Sequence, residues 1–306
     1  MTVALFTHPA CLDHNPGVGH PESPARLAAV LQSLDAPRFS AIERLAAPRA
    51  TLEQLAHAHA RTLIDDVLDN APAEGLRRLD ADTLMSPASA EAALRAAGAV
   101  CAAVDAVLDG DVERAFCAVR PPGHHATRDT AMGFCLFNNV AVGAAHALSM
   151  HRLERVAIVD FDVHHGNGTQ DIFWSDVRVL YASSHQWPLY PGTGAVDERG
   201  AGNIVNAPLA PGAGSAEFRT AYDRIILPAL DTFAPQLVLI SAGFDAHRLD
   251  PLAGLNLEAA DYAWVTERLV EIAERHAQGR VVSSLEGGYS LDALRSASEA
   301  HVAALL

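Results

Sequence analysis

An α/β fold, with a mostly parallel central sheet flanked by helices on both faces, is the architecture this sequence predicts. Three observations carry it. Short runs rich in β-branched residues alternate with amphipathic helical stretches along the chain, the pattern that βαβ units produce. Five of those runs end in glycine or reactive side chains, at His124-His125, Asp162/His164, His185, Asp245 and Tyr289. Open α/β sheets bind ligands beyond the carboxyl ends of their strands. The 306 residues contain no linker, repeat or low-complexity segment, so one domain spanning 1–306 is expected.

The elements follow in order. Residues 1–8 read as a first strand; they lack the basic n-region of a signal peptide. A loop with Gly19, His20, Pro21 and Glu22 leads into a helix at 24–34, with Ser23 as cap and Pro24 in its first turn. Residues 51–69 predict a second helix, and the polar stretch 79–83 a loop. Ser86 as cap and Pro87 at the first helical position open a long Ala-rich helix to 108. A strand at 115–119 ends in Arg120-Pro121-Pro122-Gly123-His124-His125, and 133–139 feeds a helix to 150. The central strand is 155–159, and 177–183 is the next, ending at Ser184-His185. A Gly- and Pro-rich loop covers 188–214, followed by a helix at 217–233. A strand at 237–241 runs into Ala242-Gly243-Phe244-Asp245, then comes a helix at 257–276. The strand at 281–285 runs into Glu286-Gly287-Gly288-Tyr289, and a last helix ends the chain.

Composition bounds the function. The net charge is −15, from 22 basic and 37 acidic residues. That argues against binding bare nucleic acid and suits a cationic small molecule or lysine side chain. No 18-residue apolar run is present, so no membrane span is expected. Cys11, Cys101, Cys117 and Cys135 form no Cys-x-x-Cys and fit reduced, buried thiols in a cytoplasm.

The chemistry centres on Asp160-Phe161-Asp162-Val163-His164-His165-Gly166-Asn167-Gly168. Side-chain alternation along a strand points Asp160, Asp162 and His164 the same way. Two carboxylates and an imidazole at a strand end begin a metal site, and Asp245 is the expected third ligand beside Asp162 and His164. Three protein ligands with an open position fit catalytic zinc, with ferrous iron as the alternative. His124 and His125 sit in a Pro-Gly loop where a histidine pair has no packing purpose. One imidazole can take a proton from water while the other holds or protonates the reacting group. Each needs a partner on its far nitrogen, and Asp160 and Asn167 are the candidates. Tyr289 can donate its hydroxyl to a developing oxyanion.

These motifs together resemble the zinc-dependent histone deacetylase family, which includes bacterial deacetylase-like amidohydrolases and acetylpolyamine amidohydrolases. The likeness runs from His20-Pro21-Glu22 to Tyr289. Glu286 before Gly287-Gly288-Tyr289, and Asn167 in place of an Asp, lie closer to class II than to class I. The resemblance implies an arginase-like α/β fold and hydrolysis of an acetyl amide, on acetylated lysine or an acetylated polyamine. It implies zinc on Asp162, His164 and Asp245, with His124 and His125 as the acid/base pair. It also implies a structural potassium on Asp160, the backbone of Asp162 and His164, and Ser183. Gly133, Phe134, Tyr190 and Gly287 would line the substrate tunnel, with Asp82 on its rim. A homo-oligomer is compatible with all of this.

Two rivals stand beside that reading. A two-manganese ureohydrolase would need a carboxylate at 166 and at 247, which are Gly166 and His247. A non-catalytic acetyl-lysine binding module would be expected to lose Tyr289 or a histidine, and it has lost neither.

Overall fold

The computed structural model describes residues 2–306. Met1, the first residue of the expected opening strand, lies outside them.

From the N-terminus the chain forms β1 (Val3–Thr7), α1 (Ala10–Asp13), α2 (Pro24–Ser33), β2 (Glu43–Ala46), α3 (Leu52–Ala58) and α4 (Arg61–Asp69). A small ribbon, β3 (Arg77–Arg78) and β4 (Leu84–Met85), precedes α5 (Ser89–Asp109), β5 (Arg114–Cys117) and α6 (Asn139–Met150). Then come β6 (Val156–Asp160), α7 (Asn167–Phe173), β7 (Val179–Gln186), β8 (Ile204–Leu209), α8 (Ser215–Ala221) and α9 (Leu227–Phe233). The chain closes with β9 (Leu237–Ala242), α10 (Ala259–His276), β10 (Val281–Leu285) and α11 (Leu291–Leu305).

Eight strands make one sheet in the order β2-β1-β5-β10-β9-β6-β7-β8, with every pairing parallel. Helices flank it; α11 packs on α10 and α2, and α5 packs on α6. Every residue of β6, β9 and β10 is buried, as strands covered on both faces must be. Register places Asp160 opposite Ser241 of β9 and Ser183 of β7. Ser241 in turn lies opposite Ser284 of β10. The segments after β6, β9 and β10 therefore leave the sheet side by side.

The differences from expectation have local causes. The helix expected at 51–69 is two, α3 and α4. His59 leaves the helix with ψ 150°, and its buried ring bonds Thr127 O at 2.9 Å and accepts Asn138 N–H at 2.8 Å. Those long-range bonds outweigh local helix propensity. The long helix begins at Ser89 and not at Pro87, because Ser86 N–H donates to Ser89 Oγ at 2.7 Å and the turn closes there. Ser23 makes no side-chain cap bond, although Pro24 does open α2. The helix expected at 217–233 is interrupted at Tyr222–Ile226, where the ladder widens to a π turn ahead of Pro228; proline has no N–H to keep an α ladder closed. The expected 188–214 loop contains β8, an edge strand, and the polar β2 forms the other edge. Pro208 is tolerated in β8 because an edge strand pairs on one side only.

Candidate active site

Beyond β6 the chain turns at once, so the ligand-type residues do not share a face through strand pleating. Two short-range bonds shape the turn. Asp162 N–H donates to Asp160 Oδ1 at 3.1 Å, and His164 N–H to Asp162 Oδ1 at 2.9 Å. The result is the convergence expected from the sequence by a different route. Asp162, His164 and Asp245, all buried, offer ligand atoms within 4.8 Å of one another. His164 Nδ1 lies 3.2 Å from Asp162 Oδ1 and 3.1 Å from Asp245 Oδ2. The opposite oxygens are held from behind, Asp162 Oδ2 by Gly287 N–H and Asp245 Oδ1 by Val163 N–H, each at 2.8 Å.

The electrostatics call for a cation. Burial, with the charge of Asp162 beside it, pushes the Asp245 carboxyl up to about 7. Burial also opposes charge on Asp162, but His124 and His164 hold it well below the usual carboxylate range. Burial lowers His164, yet hydrogen bonds to Asp162 and Asp245 carry it up to about 10. Two carboxylates this close in a dry site need positive charge between them. The hard oxygens with one imidazole suit a divalent metal.

His124 and His125 stand beside this trio with unlike backing. His124 Nδ1 is 3.0 Å from Asp160 Oδ2. His125 Nδ1 is 2.8 Å from Asn167 Oδ1. An amide oxygen only accepts, so His125 carries its proton on Nδ1 and leaves Nε2 as a free base. Burial lowers His124, but Asp162 and Asp160 bring it up to about 10. Burial lowers His125 too, and the cationic character of His124 and His164 takes it further below the usual imidazole range. Neighbouring imidazoles with opposed affinities are the arrangement that separates an acid role from a base role.

A cavity of about 220 Å³ reaches this group. His125, His164 and Tyr289 lie at its buried end, Phe134, Leu189 and Tyr190 form walls, and Asp82 and Leu252 stand near the mouth. The His125 ring meets Tyr190 edge-on, 5.1 Å between centroids. Phe134 reaches the wall because Gly133 and Phe134 are both left-handed, with φ 57° and 69°. Phe134 N–H is pinned to Thr83 Oγ1 at 2.9 Å. Gly133 is needed twice over: a Cβ there would sit 2.5 Å from the His125 ring. Burial raises the Tyr289 hydroxyl well above its usual range, which keeps it a proton donor. Ser183 lies across from Asp160 in the sheet, with its Oγ 3.0 Å from His185 Nδ1.

Several residues around the site were not singled out for these positions. Glu286 Oε2 accepts both Gly123 N–H (2.6 Å) and His124 N–H (3.1 Å), fixing the loop that carries the histidine pair. Burial pushes its carboxyl up to about 7. Asp250 Oδ2 accepts Tyr289 N–H at 2.7 Å. It thus holds the Tyr289 loop, and neither it nor His247 joins the carboxylate–imidazole cluster. Arg26 bonds the carbonyls of Glu286 and Gly288, with its guanidinium 4.9 Å from the Tyr289 ring centroid. Arg26 is itself held by Glu22, which also pairs with Arg120. The spacing Glu22-x-x-x-Arg26 on a helix start was the one local signal for this buried network.

Comparison with known proteins identifies the family. The model of the histone deacetylase domain matches residues 20–305. A probable deacetylase of Archaeoglobus fulgidus is 40% identical, over 95% of this chain and 82% of that protein. A histone deacetylase-like amidohydrolase of Pseudomonas aeruginosa is 42% identical, over 89% of this chain and 73% of its own length. The crystal structure of the HDA15 HD domain superposes with a TM-score of 0.95 at 36% identity, covering 99% of this chain and 88% of that one. The chain belongs to the histone deacetylase family, and its sheet and helices form that family's arginase-like α/β fold.

Proposed function

We propose that this chain is a zinc-dependent amidohydrolase that removes an acetyl group from an acetylated amine, acting as one catalytic unit. The observation that carries the reading is the pairing at the end of one narrow cavity. A buried two-carboxylate, one-imidazole cluster lies beside two histidines with opposed proton affinities. Asp162, His164 and Asp245 would hold the metal, and their buried like charges fit it. When bound there, zinc supplies Lewis acidity at the amide carbonyl.

The chain's own residues do the rest. His125 takes a proton from the attacking water at Nε2, since Nδ1 is committed to Asn167. His124, kept cationic by Asp160, orients and stabilises the reacting group. Tyr289 donates its hydroxyl to the developing oxyanion. The proton held by His125 then passes to the leaving amine. Phe134 and Tyr190 exclude water from the alkyl chain of the substrate, and Asp82 at the mouth accepts from its backbone or cationic end. A potassium ion on Asp160, Ser183 and the backbone of Asp162 and His164 would steady the loop beneath.

Acetylated lysine in a protein is the favoured substrate over an acetylpolyamine, and the cytoplasm the favoured location. No helix among the described residues is long and apolar enough to cross a membrane. Turnover of an acetyl-lysine peptide against acetylputrescine, with and without chelator, tests the reading. Zinc-restored hydrolysis of either supports it. Hydrolysis insensitive to chelation, or of neither substrate, overturns it.

A further inference from the structure

A second histidine–carboxylate cluster is built from residues that take no part in the cavity. Asp105 stands on α5, His146 on α6, and His151 just past the end of α6. Their donor atoms lie within 4.8 Å of one another. Both imidazoles turn to one atom: His146 Nε2 and His151 Nε2 are each 2.7 Å from Asp105 Oδ1. The two rings meet edge to face, 5.9 Å between centroids.

A plain hydrogen-bonded staple between helices is the alternative; the convergence of two imidazole Nε2 atoms on one carboxylate oxygen is the geometry that marks a ligand set. The His146 side chain is 6% exposed on an Ala- and Val-rich helix, and its Nδ1, on the ring edge away from Asp105, has no partner. Three other buried histidines use both nitrogens. His301 bonds Thr266 and Ser283, His59 bonds Thr127 and Asn138, and His185 bonds Ser183 and Gly194. The interaction at Asp105 is therefore the sole polar compensation for burying the His146 ring. A divalent ion there would add to it. The other two members have the freedom to admit one, since Asp105 and His151 side chains are 44% and 21% exposed. Tetrahedral ligands at zinc distances sit ~3.3 Å apart. Small rotations of those two partly exposed side chains would open the present contacts to that spacing.

We propose that Asp105, His146 and His151 bind a divalent transition metal ion of zinc's ligand class, with solvent in the remaining position, clamping the end of α6 to α5. Two imidazoles and one carboxylate are a set that zinc, cobalt and nickel accept. His151 lies on the short link from α6 to β6, so the clamp braces the entry to the strand that ends at Asp160. The proposal is independent of the cavity residues and of the acetyl-amine reading.

The test is zinc stoichiometry on the full chain, stripped with chelator and then titrated with zinc, read by metal analysis and by thermal melting. Wild type should take two equivalents, Asp105→Ala and Asp245→Ala one each, and the double variant none. Should Asp245→Ala fail to fold, His151→Ala serves instead. It should lose the second equivalent, or bind it at least tenfold more weakly, and keep wild-type turnover. Zinc should raise the melting temperature of Asp245→Ala and leave the double variant unmoved. A single equivalent in wild type that survives both Asp105→Ala and His151→Ala overturns the proposal. A single equivalent lost in Asp105→Ala and kept in Asp245→Ala would sustain it while removing the cavity trio as a zinc site.

Discussion

His124 and His125 lie with their ring centroids 4.0 Å apart and their planes tilted by 42°, yet only His124 has a carboxylate behind it. His125 rests on the neutral amide of Asn167. That difference in backing adds to burial and to the cationic neighbours His124 and His164 in leaving His125 the ring free to accept a proton near neutral pH. Replacing the amide by a carboxylate should remove the difference. In Asn167→Asp the new negative charge favours the imidazolium form of His125, so its pKa rises and the neutral fraction at a given acidic pH falls. The acid limb of kcat/KM should therefore move to higher pH, by about one unit or more. A pH profile on a chromogenic acetyl-lysine substrate measures it. An unmoved limb would remove His125 from the base role.

Tyr289→Phe keeps the ring that meets Phe134 at 5.9 Å and lies under Arg26. Folding and zinc content should hold. An oxyanion donor acts mainly in the transition state, so kcat should fall on the order of 10²–10³, about 3 kcal/mol, with a small change in KM. Hydroxamate binding should persist. Near wild-type kcat would leave Tyr289 as a wall of the cavity.

Gly287 permits the two carboxylates to approach the backbone. A Cβ at that position would press on Asp245 Oδ2 and lie 2.5 Å from Asp162 Oδ2. Gly287→Ala should thus fold and lose metal affinity by roughly 10–100-fold, as outer-sphere disruptions do. Zinc competition with a fluorescent chelator reads this directly; unchanged affinity would show that the loop yields without moving the ligands.

His301 ties acid stability to the core. It is buried among Phe116, Phe161 and Phe244, bonding Thr266 Oγ1 and Ser283 Oγ. Burial pushes its pKa down to about 3 from an ordinary 6.5. Between those values the unfolded chain binds more protons than the folded one, so stability falls as pH drops through that window and is flat above it. His301→Gln should be less stable than wild type at pH 7, with the gap narrowing by about 2 kcal/mol at pH 5. Urea unfolding at the two pH values decides it. A constant gap would mean that His301 is not kept neutral by the fold.

Strands buried on both faces announce themselves by composition, which is why β6, β9 and β10 were legible. The two edges were not. β2 is polar and largely exposed, and β8 carries Asn206 and Pro208 in a Gly- and Pro-rich stretch. In the site, the side chains that leave strand ends could be read because they are local in sequence. Gly123 with Glu286, Tyr289 with Asp250, and Arg26 with Gly288 could not, since each joins distant segments. The convergence of Asp162 and His164 was expected from strand alternation, whereas backbone bonds to the preceding carboxylates produce it.

The residues around the cavity mouth come from separate loops. Asp82 lies in the turn of the small ribbon, Phe134 ahead of α6, Tyr190 after β7, and Leu252 after β9. The carboxylates and imidazole at the buried end come from adjacent strands of the rigid sheet. Lengthening a flexible surface loop costs only about 0.6 kcal/mol per doubling. Mouth loops of this scaffold can therefore be exchanged one at a time, reshaping what enters the cavity, while the buried cluster beneath stays on the sheet. The opening and the floor of the cavity can change separately.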